Sequence, residues 1–60
     1  MPRAASIHVL VVDDQLSIRA AVRSGLNQLG IRSITEASDG EEAMRSLLAN
    51  PVHLIISDYN

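Results

Sequence analysis

The chain has 60 residues, with seven acids, five arginines and no lysine, for a formal charge of −2 and a pI near 5.4. That balance leaves no footprint for nucleic acid or an anionic membrane surface. Cysteine is absent, which excludes disulfide staples and thiolate zinc sites, and no apolar run approaches the roughly 20 residues that span a bilayer.

A chain this short is at most one small domain, burying only about 60% of its unfolded surface. Its single aromatic residue is Tyr59, so the core must be aliphatic. Residues 1–6 lack the apolar stretch of a signal peptide and read as a disordered lead-in; a soluble cytoplasmic protein is the expectation. The first strand follows at residues 7–12. It is short and β-branched and does not alternate with polar residues, the pattern of a parallel strand covered on both faces.

A helix is predicted over residues 16–29. Ile18, Val22, Leu26 and Leu29 share a face with Ala21 and Gly25, while Arg19, Arg23, Asn27 and Gln28 form the polar side. Gly30 is a left-handed stop. The second strand, residues 31–37, is more polar and suits a sheet edge. Asp39 then N-caps a second helix, with Glu42 placed for a capping box and Glu41 and Glu42 at the positive end of the helix dipole. Ala43, Met44, Leu47 and Leu48 are its apolar stripe, and Asn50-Pro51 ends it. The third strand is residues 52–57. Strand, helix, strand, helix, strand with right-handed crossovers makes an α/β layer with a parallel sheet.

Both apolar strands run into acids, the first into Asp13-Asp14 and the third into Asp58. Parallel strands bring all three to the carboxyl edge of the sheet, where open α/β folds bind ligands. Three converging carboxylates repel one another and call for a counter-charge. The arginines lie, by sequence, outside these strand ends. A divalent cation with hard oxygen ligands, Mg²⁺, Mn²⁺ or Ca²⁺, answers the need.

The double acid Asp13-Asp14, the run from Glu36 through Asp39-Gly40 to Ala43, and the segment from Ile55 to Asn60 stand in an order and at separations that resemble the receiver domain of two-component response regulators. The likeness is greatest to CheY-like, chemotaxis-type receivers and covers residues 7–60. It implies a flavodoxin-like sheet with strand order 2-1-3, and a chain that is the N-terminal half of such a domain. It implies that Asp58 accepts a phosphoryl group from a histidine kinase. Asp13, Asp14 and Asp58 would then hold Mg²⁺ together with the backbone carbonyl of Asn60. The family's later threonine or serine and lysine, which relay the switch, have no counterpart here, so this half is not expected to switch alone.

A different class of function is a self-associating structural half-domain. The third strand would form an open edge with nothing to blunt it, and two copies could pair there about a two-fold axis into a six-stranded sheet, without phosphotransfer. An aspartyl phosphohydrolase is disfavoured because Tyr59-Asn60 supplies no second acid. A nucleotide site is disfavoured because Asp13-Asp14-Gln15 lacks phosphate-cradling glycines. The plain alternatives are an N-capping loop for Asp13-Asp14, a frayed terminus for Asp58, solvated strand-start residues for His8 and His53, and a solvated helix face for Arg19 and Arg23.

Overall fold

The structure is a computed structural model and describes residues 6–57; all but the last residue of the lead-in expected at residues 1–6, and the site residues Asp58 and Asn60, lie outside the described residues. The elements run β1 (His8–Val12), α1 (Leu16–Gln28), β2 (Ser33–Ala37), α2 (Gly40–Ala49) and β3 (Leu54–Ser57). They form one three-stranded sheet of order β2-β1-β3, with β1 parallel to both neighbours. This is the flavodoxin-like 2-1-3 arrangement, and the polar β2 does lie at an edge.

β1 is covered on both faces, as its unbroken apolar run requires. Val9, Leu10 and Val11 are at most 1% exposed. Successive side chains of a strand point to opposite faces, so two separate cores result. Val9 and Val11 pack with Leu26 of α1, supported by Val22, Ile31, Ile34 and Ile56. Leu10 packs with Ala37 and with Ala43 of α2, supported by Val12, Leu47 and Val52. The two helices therefore cover opposite faces of the sheet.

β1 starts at His8 rather than at residue 7, and three further element bounds differ from the sequence reading, each for a local reason. β2 starts at Ser33 rather than at residue 31 because the preceding residues close α1. Gly30 takes φ 87° and donates to the Asn27 carbonyl, while the Ile31 N–H donates to the Leu26 carbonyl, each at 3.0 Å. That pair of bonds is a Schellman stop. The same stop ends α1 at Gln28 and leaves Leu29 as its C-cap. β3 starts at Leu54 because Val52 turns into the second core and His53 serves a different purpose, described below.

The helix stripes are narrower than their periodicity suggests. Leu26 is buried on α1 and Ala43 on α2, but Leu29 is 71% exposed and Leu48 84% exposed. Ala21 and Gly25 are also exposed. At Gly25 a Cβ would meet no atom within 4 Å, so nothing in the packing requires a glycine. Gly25→Ala is expected to raise stability by up to about 1 kcal/mol, through helix propensity and a less flexible unfolded chain. A thermal or urea melt showing no gain would contradict it.

The N-terminus of α2 follows its predicted cap in one half. Asp39 Oδ1 accepts the Glu42 N–H at 2.8 Å, and the Glu42 carboxylate accepts the Ser38 hydroxyl at 3.0 Å. Glu42 thus ties down the residue before the cap.

Candidate functional site at the carboxyl edge of the sheet

β1 and β3 stop level with each other, since Val12 registers with Ser57. The residue after β1 is Asp13, half-buried, followed by the exposed Asp14. Between these strand ends and α1 lies a cleft of about 180 Å³, lined by Val11, Val12, Asp13, Ile18 and Ser57 among others. Its floor is aliphatic and its rim carries a carboxylate.

Neither acid acts as a helix cap. The N-cap of α1 is Gln15, which makes no side-chain cap bond. Asp13 Oδ1 instead accepts the N–H of Gln15 itself at 2.8 Å, a local Asx turn. The Asp13 N–H donates to the Ala37 carbonyl at 3.0 Å, extending the β1–β2 ladder one residue into the loop. Among the described residues, Asp14 has no hydrogen-bond or ion-pair partner, and neither acid is in a salt bridge. No group of three potential metal-ligating side chains forms among the described residues; the third expected member, Asp58, lies outside them.

Arginine does come to this strand end, contrary to the sequence expectation. Arg19 Nη1 donates to the Asp13 carbonyl, and its Nε donates to Glu36 Oε1 at 3.1 Å. One helical turn later Arg23 Nε donates to Glu36 Oε2 at 2.8 Å and its Nη2 to the Ile34 carbonyl at 3.2 Å. Arg19 and Arg23 are thus a clamp on β2 rather than a solvated helix face. The sequence held a signal for this: two arginines four residues apart on a helix, and Glu36 as the one acid within a predicted strand.

The Arg23 hydrogen bond, with help from Arg19, holds the Glu36 carboxyl below its ordinary value of 4.5 even though partial burial opposes this. A carboxyl lowered in the folded state contributes stability above its unfolded pKa and loses it as pH falls through the folded one. Wild type is therefore expected to exceed Glu36→Gln at neutral pH by roughly 1 kcal/mol, the upper range for partly exposed pairs. The gap should close as pH falls below 4.5. Melts of both proteins across this range check it; a gap independent of pH would refute the charged clamp.

The histidines at the opposite edge are not simply solvated. The His8 N–H donates to His53 Nδ1 at 3.0 Å, and the His53 N–H donates to the His8 carbonyl at 2.8 Å. His8 Nε2 also lies 2.7 Å from Thr35 Oγ1. The pair ties the start of β3 to β1 and, through Thr35, to β2. It stands at the amino edge, away from the acids, and its role is architectural.

A doubly wound half-sheet with an unneutralised acid pair at its carboxyl edge is the setting of a receiver, and comparison with known proteins agrees. The model of the response regulator receiver domain matches residues 9–60. The chain belongs to that family. It is 47% identical over its whole length to a Rhizobium etli protein described as "Probable chemotaxis protein CheY", of which it covers 46%. It is also 48% identical, over 50 residues or 83% of the chain, to the autoinducer 1 sensor kinase/phosphatase LuxN of Vibrio campbellii and of Vibrio harveyi, covering 6% of each. The chain thus spans less than half the length of these relatives.

Receivers generally use Mg²⁺, and the residues at this edge suit it. The donors are hard carboxylate oxygens, Asp14 is exposed and Asp13 half-buried, and among the described residues no arginine forms a salt bridge with them. Arg19 approaches the loop only through a backbone carbonyl.

Proposed function

We propose that this chain is the phosphoacceptor part of a chemotaxis-type, CheY-like receiver. Asp58 takes a phosphoryl group from a histidine kinase, while Asp13, Asp14, Asp58 and the Asn60 backbone carbonyl hold Mg²⁺. The observation that carries this reading is the acid pair at the end of β1, uncapped and without ion-pair partners among the described residues, within a segment matched by the receiver family.

In this reading the Asp58 carboxylate attacks phosphorus, an O–P bond forms, and the P–N bond of the donor phosphohistidine breaks. The departing imidazole nitrogen keeps the bonding pair and takes a proton from solvent. A bound Mg²⁺ offsets the charge of the phosphoryl oxygens and orients them for in-line transfer. Asp13 and Asp14 keep their charge available for that cation because, among the described residues, it is not spent on capping α1 or on ion pairing. The protein is a signalling domain rather than an enzyme turning over free substrate, and it works in the cytoplasm without a nucleic-acid or membrane partner.

Incubation with a small phosphodonor and Mg²⁺ tests the reading by intact mass. One added phosphoryl group, lost in Asp58→Asn, is the expected result. Phosphorylation retained in that variant, or none in a folded wild type that binds Mg²⁺, would count against it.

One observation favours a second reading, the self-associating half-domain. β3 pairs only with β1 among the described residues. Leu54 and Ile55, adjacent and so on opposite faces of β3, are 48% and 47% exposed. Pairing of two β3 edges would cover both. Sedimentation equilibrium over a range of concentrations decides it: a defined dimer supports the reading and a monomer at high concentration removes it.

A further inference from the structure

The acid pair sits on a loop whose shape depends on one side chain of α1. Asp13 is anchored at its N–H by the Ala37 carbonyl, at its carboxylate by the Gln15 N–H, and at its carbonyl by Arg19. That carbonyl belongs to the peptide unit joining Asp13 to Asp14. The unit is planar, so holding its oxygen fixes its rotation, and with it the direction in which the Asp14 Cα presents its side chain. Arg19 cannot swing freely. Its side chain is 14% exposed, and Glu36, which it also grips, is held from the other side by Arg23.

We propose that Arg19 is a positioning residue for the acid pair. By holding the Asp13 carbonyl it sets the relative aim of the Asp13 and Asp14 carboxylates, and so their affinity for a small divalent cation. Arg19 touches neither the cation nor the phosphoryl group. The inference rests on the reading of Asp13 and Asp14 as Mg²⁺ ligands. Charge and positioning predict opposite signs. A guanidinium repels a nearby cation, so on charge alone loss of Arg19 strengthens binding. If Arg19 aims the ligands, its loss weakens binding.

The experiment is an Mg²⁺ titration by calorimetry of wild type, Arg19→Ala, Arg19→Lys and Arg23→Ala. Loss of a group that orients a metal ligand commonly lowers metal affinity by about 10- to 100-fold, and Arg19→Ala is expected in that range. Arg19→Lys keeps the charge with a single compact donor and should fall between; it carries the test if Arg19→Ala does not fold. Arg23 grips the same Glu36 without touching the acid loop, so Arg23→Ala should stay within about two-fold of wild type whatever stability it loses. Equal or tighter binding by Arg19→Ala overturns the proposal. So does an Arg23→Ala loss as large as that of Arg19→Ala, which would mean general loosening. A folded wild type that fails to bind Mg²⁺ removes the ligand reading itself. The positioning claim is then decided by the metal-free protein. Backbone order parameters of the Asp14 and Gln15 amides should fall in Arg19→Ala and hold in Arg23→Ala; unchanged values in Arg19→Ala overturn it.

Discussion

Replacing Asp13 and Asp14 together by asparagine is expected to leave a folded chain that no longer responds to Mg²⁺. The fold loses little, because neither acid caps α1 or enters an ion pair among the described residues. The one side-chain bond in the loop, from the Gln15 N–H to Asp13 Oδ1, can be kept by an asparagine oxygen. Removing two adjacent like charges should leave stability unchanged or raise it by roughly 0.5 kcal/mol. The cation loses far more. A unit charge pair about 4 Å apart is worth roughly 1 kcal/mol in water and 4 kcal/mol near a protein surface, and the cation is divalent. A loss of affinity on the order of 100-fold or more is expected, since each 1.4 kcal/mol is about tenfold. Calorimetric titration beside a thermal melt separates the two effects. A double variant that melts much earlier than wild type would make the acids structural, and one that binds Mg²⁺ normally would place the cation elsewhere.

Leu10→Ala is expected to unfold the chain, whereas Leu48→Ala should barely register. Leu10 is 0% exposed and Leu48 is 84% exposed. Truncating a fully buried leucine costs about 2–5 kcal/mol, through lost transfer energy and the cavity left behind. Domains of this size rarely hold more than about 3–5 kcal/mol in total. The same change on the outer side of α2 removes little buried surface and should stay within about 0.5 kcal/mol. Circular dichroism at 25 °C distinguishes the two. A native spectrum for Leu10→Ala would mean that the second core, on the α2 side, contributes less than its burial implies.

What could be read from the sequence was whatever depends on nearest neighbours along the chain. The run from Val9 to Val11 is apolar without alternation, and only a strand buried on both faces wants that. Asp39 ahead of Glu42, and Gly30 behind Leu29, are local stop and start signals that act within one turn. Strand order came with the resemblance to receiver domains, and the polarity of β2 agreed with a place at the edge. What could not be read was which members of a periodic stripe find a partner. Leu47 and Leu48 look equivalent in a helical pattern, yet Leu47 packs against the second core and Leu48 faces outward. Among the described residues the sheet is three strands wide, so it covers only part of each helix. The Arg19 contact was hidden for a related reason. A long side chain on a polar face can reach water, Glu36 or a loop carbonyl, and only the packing of α1 on the sheet selects among them. His8 and His53 stand 45 positions apart, so no local pattern links them. At the site, the pair at positions 13 and 14 was legible as chemistry, while the loop geometry that aims it was not.

The division of β1 between two cores bears on how such a chain tolerates change over evolutionary time. Val9 and Val11 answer to α1, and Leu10 answers to α2. Volume changes on one face can be compensated within that face, so the two cores can drift as separate compartments. A deletion or insertion inside β1 has no such escape. It moves every following side chain to the opposite face, exchanges the contents of both cores at once, and turns the acid pair away from the edge. The strand can therefore vary in spelling but not in length.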